Sequence, residues 1–198
     1  MPEPAGIDFF ATGAGPLARR LLGCTLVRVL PSGQRLAGRI VETEAYVGVK
    51  DQGCHSFGCR RTPRNESMYA AAGTAYVYFT YGMHHCMNIV AGRVDEPVAV
   101  LIRALEPLEG LDRMMKLRNR TKSRDLCSGP GKLCQALAID RGLDRSPMFA
   151  PGPMFIEIGR RRRSEVVAKG PRIGLSCGGQ WGAAPLRFWL PSSTCVSV

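Results

Sequence analysis

Residues 96–105, EPVAVLIRAL, form a short, nearly unbroken apolar run with one charge inside it, Arg103. A run this continuous has no polar face to offer to water. It therefore reads as a strand covered on both sides, in the middle of a sheet. The rest of the chain must supply the layers that cover it. GPLARRLLGC reads as a short helix, with Pro16 in its first turn and Gly23 at its exit. TLVRVL, PSGQ and RLAGRIVETEAYV read as strand, turn and longer strand. TPRNESMYAAAG begins as a turn and continues as a short helix ending near Gly73. TAYVYFTY and HCMNIV, joined by a turn at Gly82, make a second hairpin. EPLEGLDRMMKLRNR has Pro107 near its start and Leu108, Leu111, Met115 and Leu117 at helical spacing. In CSGPGKLCQALAI a loop with two glycines feeds a helix that turns Leu133, Ala136 and Leu137 inward. Residues 141–165 read as irregular, and strands near PRIGLS and PLRFWL follow. Strands and helices are interspersed without regular βα alternation and without an internal repeat. That pattern excludes a Rossmann fold or an α/β barrel and predicts one mixed α+β domain over residues 1–198.

Charge narrows the choice of partner. The 198 residues carry 27 Lys and Arg against 16 Asp and Glu, a net charge of +11. The excess is clustered: Arg60, Arg61 and Arg64; six basic residues between Arg113 and Arg124; and the run Arg160–Arg163. Separated clusters suit an extended phosphate backbone better than one small anion. No apolar run is long enough to span a membrane, and the N-terminus lacks the order of a signal peptide, so an intracellular protein is expected. None of the eight cysteines forms a C-x-x-C pair. Cys54, His55 and Cys59 lack the second half of a zinc site, so the cysteines read as reduced, packed thiols and no metal is expected.

Three of the five tyrosines, Tyr76, Tyr78 and Tyr81, fall within six residues. Strand alternation puts Tyr76 and Tyr78 on one face, with Val77 and Phe79 on the other. By itself that is an ordinary half-buried strand. Tyr81 is different: it precedes Gly82 at a hairpin tip, where a large ring usually binds something. The same alternation in RIVETEAY puts Glu42, Glu44 and Tyr46 on one face. Acids on an edge strand would be unremarkable. In a basic, phosphate-binding protein, acids near the binding face point to chemistry.

GRIVETEAY, HS with TPRN, YVYFTYGMHHCMNI, LIRALEPLEG and CSGPGKLCQALAI together resemble the alkyladenine DNA glycosylases, also called 3-methyladenine or N-methylpurine DNA glycosylases. The resemblance runs in order from about Phe9 to the terminal CVSV, and residues 141–165 are its divergent part. It implies a curved, largely antiparallel β-sheet with surrounding helices and a protruding β-hairpin. It implies an enzyme that rotates a damaged purine out of duplex DNA. By motif position, Tyr81 fills the gap in the stack. The extruded base lies between Tyr46 and His55 on one face and Tyr78 on the other, and Asn88 discriminates against the 2-amino group of guanine. Glu44 matches the general base that activates water for attack at C1′. Arg103 matches the arginine that holds Glu44 and the water, and an arginine in so apolar a strand needs an acidic partner. The main-chain carbonyl of Ile173 takes a third side of the water. Arg60, Arg61, Arg64, Lys132, Arg161 and Arg162 are the expected backbone contacts.

The resemblance thus implies a monofunctional DNA glycosylase acting on 3-methyladenine, 7-methylguanine, hypoxanthine or ethenoadenine. It would act as a monomer on damaged double-stranded DNA, without cofactor, metal or membrane, in the nucleus of a eukaryote or the cytoplasm of a bacterium. No lysine occupies a nucleophile position in the motifs, which fits hydrolysis by water. Two alternatives stand beside it: a non-catalytic damage- or RNA-binding module, and a transferase for small nucleotides. Glu44 with Arg103 argues against the first, and the basic clusters against the second.

Overall fold

The computed structural model describes residues 3–197. It is a mixed α+β structure around an eight-stranded antiparallel sheet. The strands are β1 (Thr25–Val29), β2 (Arg35–Tyr46), β3 (Ala75–Thr80), β4 (His84–Ala91), β5 (Val98–Glu109), β6 (Met154–Glu157), β7 (Ala168–Gly170) and β8 (Arg187–Trp189). Their main order is β3-β4-β5-β2-β1-β6, with β8 bridging β2 and β7. The apolar run becomes β5, between β4 and β2, as its lack of a polar face requires. Strand β2 is long enough to serve three neighbours. Its first half pairs with β1, residues Glu42–Glu44 pair with β8, and its other edge pairs with β5.

The helices are α1 (Ala14–Leu21), α2 (Leu111–Arg118), α3 (Pro130–Ala136) and α4 (Gly179–Ala183). Helices α1 and α3 cover one face of the sheet. From α1, Ala14, Leu17, Ala18 and Leu21 join the main core, and from α3, Leu133, Cys134 and Ala136 do. Burying each of the larger side chains is worth about 1.5–3 kcal/mol. The opposite face carries a smaller cluster: Cys54, Met68, Tyr69, Tyr76, Val90 and Ala99, with Tyr46 and Tyr78 against it. The two faces therefore divide labour, one holding the fold and the other an aromatic floor.

Four sequence expectations are corrected. The helix expected from Pro107 starts only at Leu111, because β5 continues to Glu109 and Gly110 breaks it at φ 76°. Its Cβ would fall 2.3 Å from Leu36, so glycine is required there twice over. The helix expected to end near Gly73 is a single 3₁₀ turn, Glu66–Tyr69. Residues 141–165 are not wholly irregular, since Met154–Glu157 form β6 on β1. The strand expected at PRIGLS lies just before it, at Ala168–Gly170. For β5, β6 and β7, pairing to a distant strand overrode local propensity.

Candidate active site

The sheet's aromatic face carries the acids. A bulge in β2 shifts its register against β5 around Glu42. From there Glu42, Glu44 and Tyr46 alternate with Val41 and Ala45, which enter the main core. Thr43 is fastened to α1 by its hydroxyl, which donates to the Ala18 carbonyl at 2.9 Å. Both carboxylates are 0% exposed, so this is not an edge strand bearing surface acids. A buried carboxylate is costly unless it is paired and hydrogen-bonded. Glu44 Oε1 pairs with the Arg103 guanidinium, Nη1 at 3.1 Å, and accepts from the Ile173 amide at 2.7 Å. Its Oε2 accepts from the Tyr46 hydroxyl at 3.0 Å. Burial pushes the Glu44 carboxyl above the usual carboxylate range, while Arg103, the Ile173 amide and the Tyr46 hydroxyl pull it back.

Beside this cluster opens a cavity of about 310 Å³. It lies at the lower end of the range for small-molecule pockets, about 300–1,000 Å³, which suits a single ring system. Tyr46, His55, Tyr76, Tyr78, Asn88 and Arg103 line it, with Ile173 and the hairpin residues Thr80 and Tyr81. Glu44 does not line it. The three groups that bond Glu44 (Tyr46, Arg103 and Ile173) do. Asn88 is held by its own hairpin, Nδ2 donating to the Tyr76 carbonyl at 3.1 Å.

The expected grouping of the aromatic walls is corrected. The His55 and Tyr78 rings lie edge to face with centroids 4.6 Å apart. A base between two rings needs about 7 Å, twice the ~3.5 Å of optimal carbon contact. His55 and Tyr78 therefore form one wall, and His55 is not paired with Tyr46 across from Tyr78. His55 Nδ1 is also bonded to the Tyr76 hydroxyl at 2.8 Å. Withdrawal from bulk water, helped by the charges of Arg64 and Arg60, lowers the His55 pKa to about 4. An NMR titration should accordingly find its imidazole neutral from pH 7 down to pH 5, and proton uptake near pH 6.5 would contradict that environment.

The hairpin tip holds strain. Tyr81 and Gly82 have φ of 51° and 67°, and the Met83 amide donates to the Thr80 carbonyl at 3.2 Å. Both central residues thus lie in the left-handed region, as in a type I′ turn. Glycine adopts it freely, whereas a bulky tyrosine does so at a cost. The Tyr81 side chain is 80% exposed, so no packing compensates for that cost.

The chain matches the family described as methylpurine-DNA glycosylase over residues 8–194. It is 47% identical to the human DNA-3-methyladenine glycosylase over 203 residues, which covers 98% of this chain and 67% of the relative. This chain belongs to the methylpurine-DNA glycosylase family. The mouse DNA-3-methyladenine glycosylase is also 47% identical, over 98% of this chain and 61% of the relative. The chain thus spans about two thirds of the length of these mammalian relatives. A Bacillus licheniformis protein with 3-methyladenine DNA glycosylase in its name is 45% identical, over 98% of this chain and 97% of that protein.

The basic residues of this glycosylase-family chain separate into free and engaged groups. Arg60 and Arg64 line a second recess of about 260 Å³ that shares His55 with the main cavity. Arg64 also donates to the Phe79 carbonyl at 3.1 Å, below the hairpin tip. Arg61 is engaged within the protein: it bonds Glu66 at 2.6 Å and Asp95 at 2.8 Å, and covers the Tyr69 ring at 4.3 Å. Lys132 stands in the first turn of α3, next to Ser128. Arg161 and Arg162 are exposed, but their run is seated against Gly23 at the exit of α1 and supplies no lining residue of the cavity. His84 abuts Gly131 of α3, and His85 packs on Phe79 with rings 5.0 Å apart. Among the described residues no group of three or more His, Cys, Asp or Glu could hold a metal ion, and no helix is long and apolar enough to cross a membrane.

Sequence reasoning missed two sets of supporting residues. Asp51 and Arg172 form a bidentate ion pair at 2.6 and 2.7 Å with both side chains 0% exposed. Arg172 also covers the Tyr46 ring at 4.8 Å and donates to the Ala45 carbonyl. The second set is Arg187 and Ser197: the Ser197 hydroxyl accepts from Arg103, and Arg187 pairs with Glu42, the acid that meets Arg103 from behind. Arg103 and Ser197 are 94 residues apart, and no local pattern links them.

Proposed function

We propose that this chain is a DNA-3-methyladenine glycosylase of base excision repair, which turns a damaged purine into the aromatic cavity and hydrolyses its N-glycosidic bond. The observation that carries the proposal is one arrangement: a buried carboxylate, Glu44, held by an arginine at the back of a base-sized aromatic cavity, beside a strained, exposed tyrosine. The relatives' names support the same reaction class.

In this reading Tyr81 enters the stack that the extruded nucleotide leaves. The base stacks between Tyr46 and the wall of Tyr78 and His55, an interaction worth roughly 1–3 kcal/mol per base. A neutral His55 can exchange hydrogen bonds with the base without adding a repulsive positive charge to an alkylated, cationic purine. Asn88 disfavours the 2-amino group of guanine. A water enters where Tyr46, Arg103 and Ile173 converge on Glu44 and attacks C1′ as the base departs, and Glu44 takes its proton. The Glu44 charge also stabilises the cationic sugar. The Ile173 amide bonds Glu44 in this structure, so its contribution is to orient the base as well as to line the water's site. Arg60, Arg64, Lys132, Arg161 and Arg162 meet phosphates, whereas Arg61 braces its loop.

Incubation with short duplexes, each bearing one lesion, followed by alkaline cleavage tests the proposal. Cleavage of the 3-methyladenine, hypoxanthine or ethenoadenine strand supports it. Tight binding without cleavage on any of them would favour the binding-module alternative.

Two further outcomes are expected. Tyr46→Phe keeps the stacking ring but removes the hydroxyl that lowers the Glu44 pKa. Glu44 must be ionised to act, so the acidic limb of the pH–rate profile should move to higher pH, and an unmoved limb would separate Tyr46 from Glu44's titration. Tyr81→Ala should impair excision of a well-paired lesion much more than of a mispaired one, because the extrusion cost differs. Equal losses would give Tyr81 a packing role.

A further inference from the structure

We infer that Glu42 and Ser197 are positioning residues for the reaction: together they fix Arg103 so that one guanidinium nitrogen alone faces Glu44. The inference rests on the function proposed above and extends it to residues outside the cavity.

The guanidinium of Arg103 is shared. Nη1 meets Glu44 Oε1 at 3.1 Å. Nε meets Glu42 Oε1 at 3.3 Å. Nε and Nη2 both donate to Ser197 Oγ at 3.2 Å. Glu42 is itself held on two further sides. Its Oε1 accepts from Arg187 Nη1 at 3.1 Å, and its Oε2 from the Ser197 amide at 2.7 Å. Ser197 therefore grips both members of the pair, donating its amide to one and accepting with its hydroxyl from the other. Glu42 is 0% exposed, and neither it nor Ser197 lines the cavity.

One acid would suffice to neutralise Arg103, yet the fold buries two. A carboxylate and a guanidinium left alone close into a bidentate pair, two parallel hydrogen bonds that hold the anion tightly. Such a grip would add a second guanidinium bond at Oε2, which already accepts from Tyr46, and weaken Glu44 as a base. Glu42 and Ser197 take the other edge of the guanidinium and prevent that. The charges alternate along the chain Glu44, Arg103, Glu42, Arg187, so two buried anions are matched by two cations.

Glu42→Gln and Ser197→Ala test this. The measurements are single-turnover excision across pH, equilibrium binding to lesion duplex, and thermal melting. Misplacing a catalytic group by about 1 Å costs up to ~100-fold, so Glu42→Gln should lower the rate by at least about 10-fold. Removing the Glu42 charge should also move the acidic limb of the profile to lower pH, because Glu44 then ionises more easily beside an undivided Arg103. Ser197→Ala keeps the amide and loses only the hydroxyl, so it should lower the rate several-fold with its melting temperature near wild type. Lesion binding should stay within about two-fold for both, since neither residue touches the cavity. An acidic limb that stays in place in Glu42→Gln, or a Ser197→Ala variant within two-fold of wild type in rate, would overturn the inference and leave a structural ion-pair network. If wild type itself released no base from any duplex, the proposed function would fail instead, so the two failures are distinguishable.

Discussion

Glu44→Gln should reduce single-turnover base release by about 100-fold or more while leaving lesion binding almost unchanged. The amide matches the carboxylate in shape and can still accept the Ile173 amide, so the strand and cavity should persist. It cannot take a proton from water or supply negative charge to the sugar. Arg103 then loses one of its two carboxylate partners but keeps Glu42 at 3.3 Å, so the change does not strand a buried cation. The residual activity would come from base orientation and the remaining electrostatics of the cavity. Excision within a few-fold of wild type would remove Glu44 from the role of base. A large loss of melting temperature would show that packing was disturbed as well, and the wild-type-like affinity for lesion duplex is the control for that.

Asp51→Asn should destabilise the fold by about 3–5 kcal/mol in urea denaturation, the cost of leaving a fully buried Arg172 without its counter-charge. The effect should reach the site. Asp51 also accepts from the Val47 amide at 3.1 Å and the Gly53 amide at 2.9 Å, and so shapes the loop that carries His55. Arg172 precedes Ile173 and covers Tyr46, so it aligns two residues that bond Glu44. A paired replacement, Asp51→Leu with Arg172→Met, removes both charges together and should recover part of the stability without recovering the rate. A single Asp51→Asn change costing under 1 kcal/mol would mean that water reaches the pair, and the loop would then need another anchor.

Much of the site was legible in the sequence because strand alternation is a strict geometric rule. Glu42, Glu44 and Tyr46 share a face, as do Tyr76 and Tyr78, and Tyr81 stands at an exposed tip beside Gly82. A two-residue period needs no knowledge of the partner strand. The same holds for β5, whose unbroken apolar run left it no place but the interior of the sheet. The sequence alone also carried the resemblance to the family that the chain matches over residues 8–194.

What the sequence could not determine was which distant groups meet. Helical spacing after Pro107 was outweighed by pairing of β5 with β2 as far as Glu109, and β6 emerged from an irregular-looking segment because β1 had a free edge. Whether His55 sides with Tyr46 or with Tyr78 depends on how a loop lies over the sheet, and no periodicity encodes that. The partners of Arg103 followed the same division. A buried arginine demands an acid, which is a statement about one residue and its solvation. That it would be shared between Glu42 and Glu44 and steadied by Ser197, 94 residues away, was decided only when the fold brought three segments to one point. Solvation energy is local and readable residue by residue, whereas the geometry that satisfies it is a property of the whole chain.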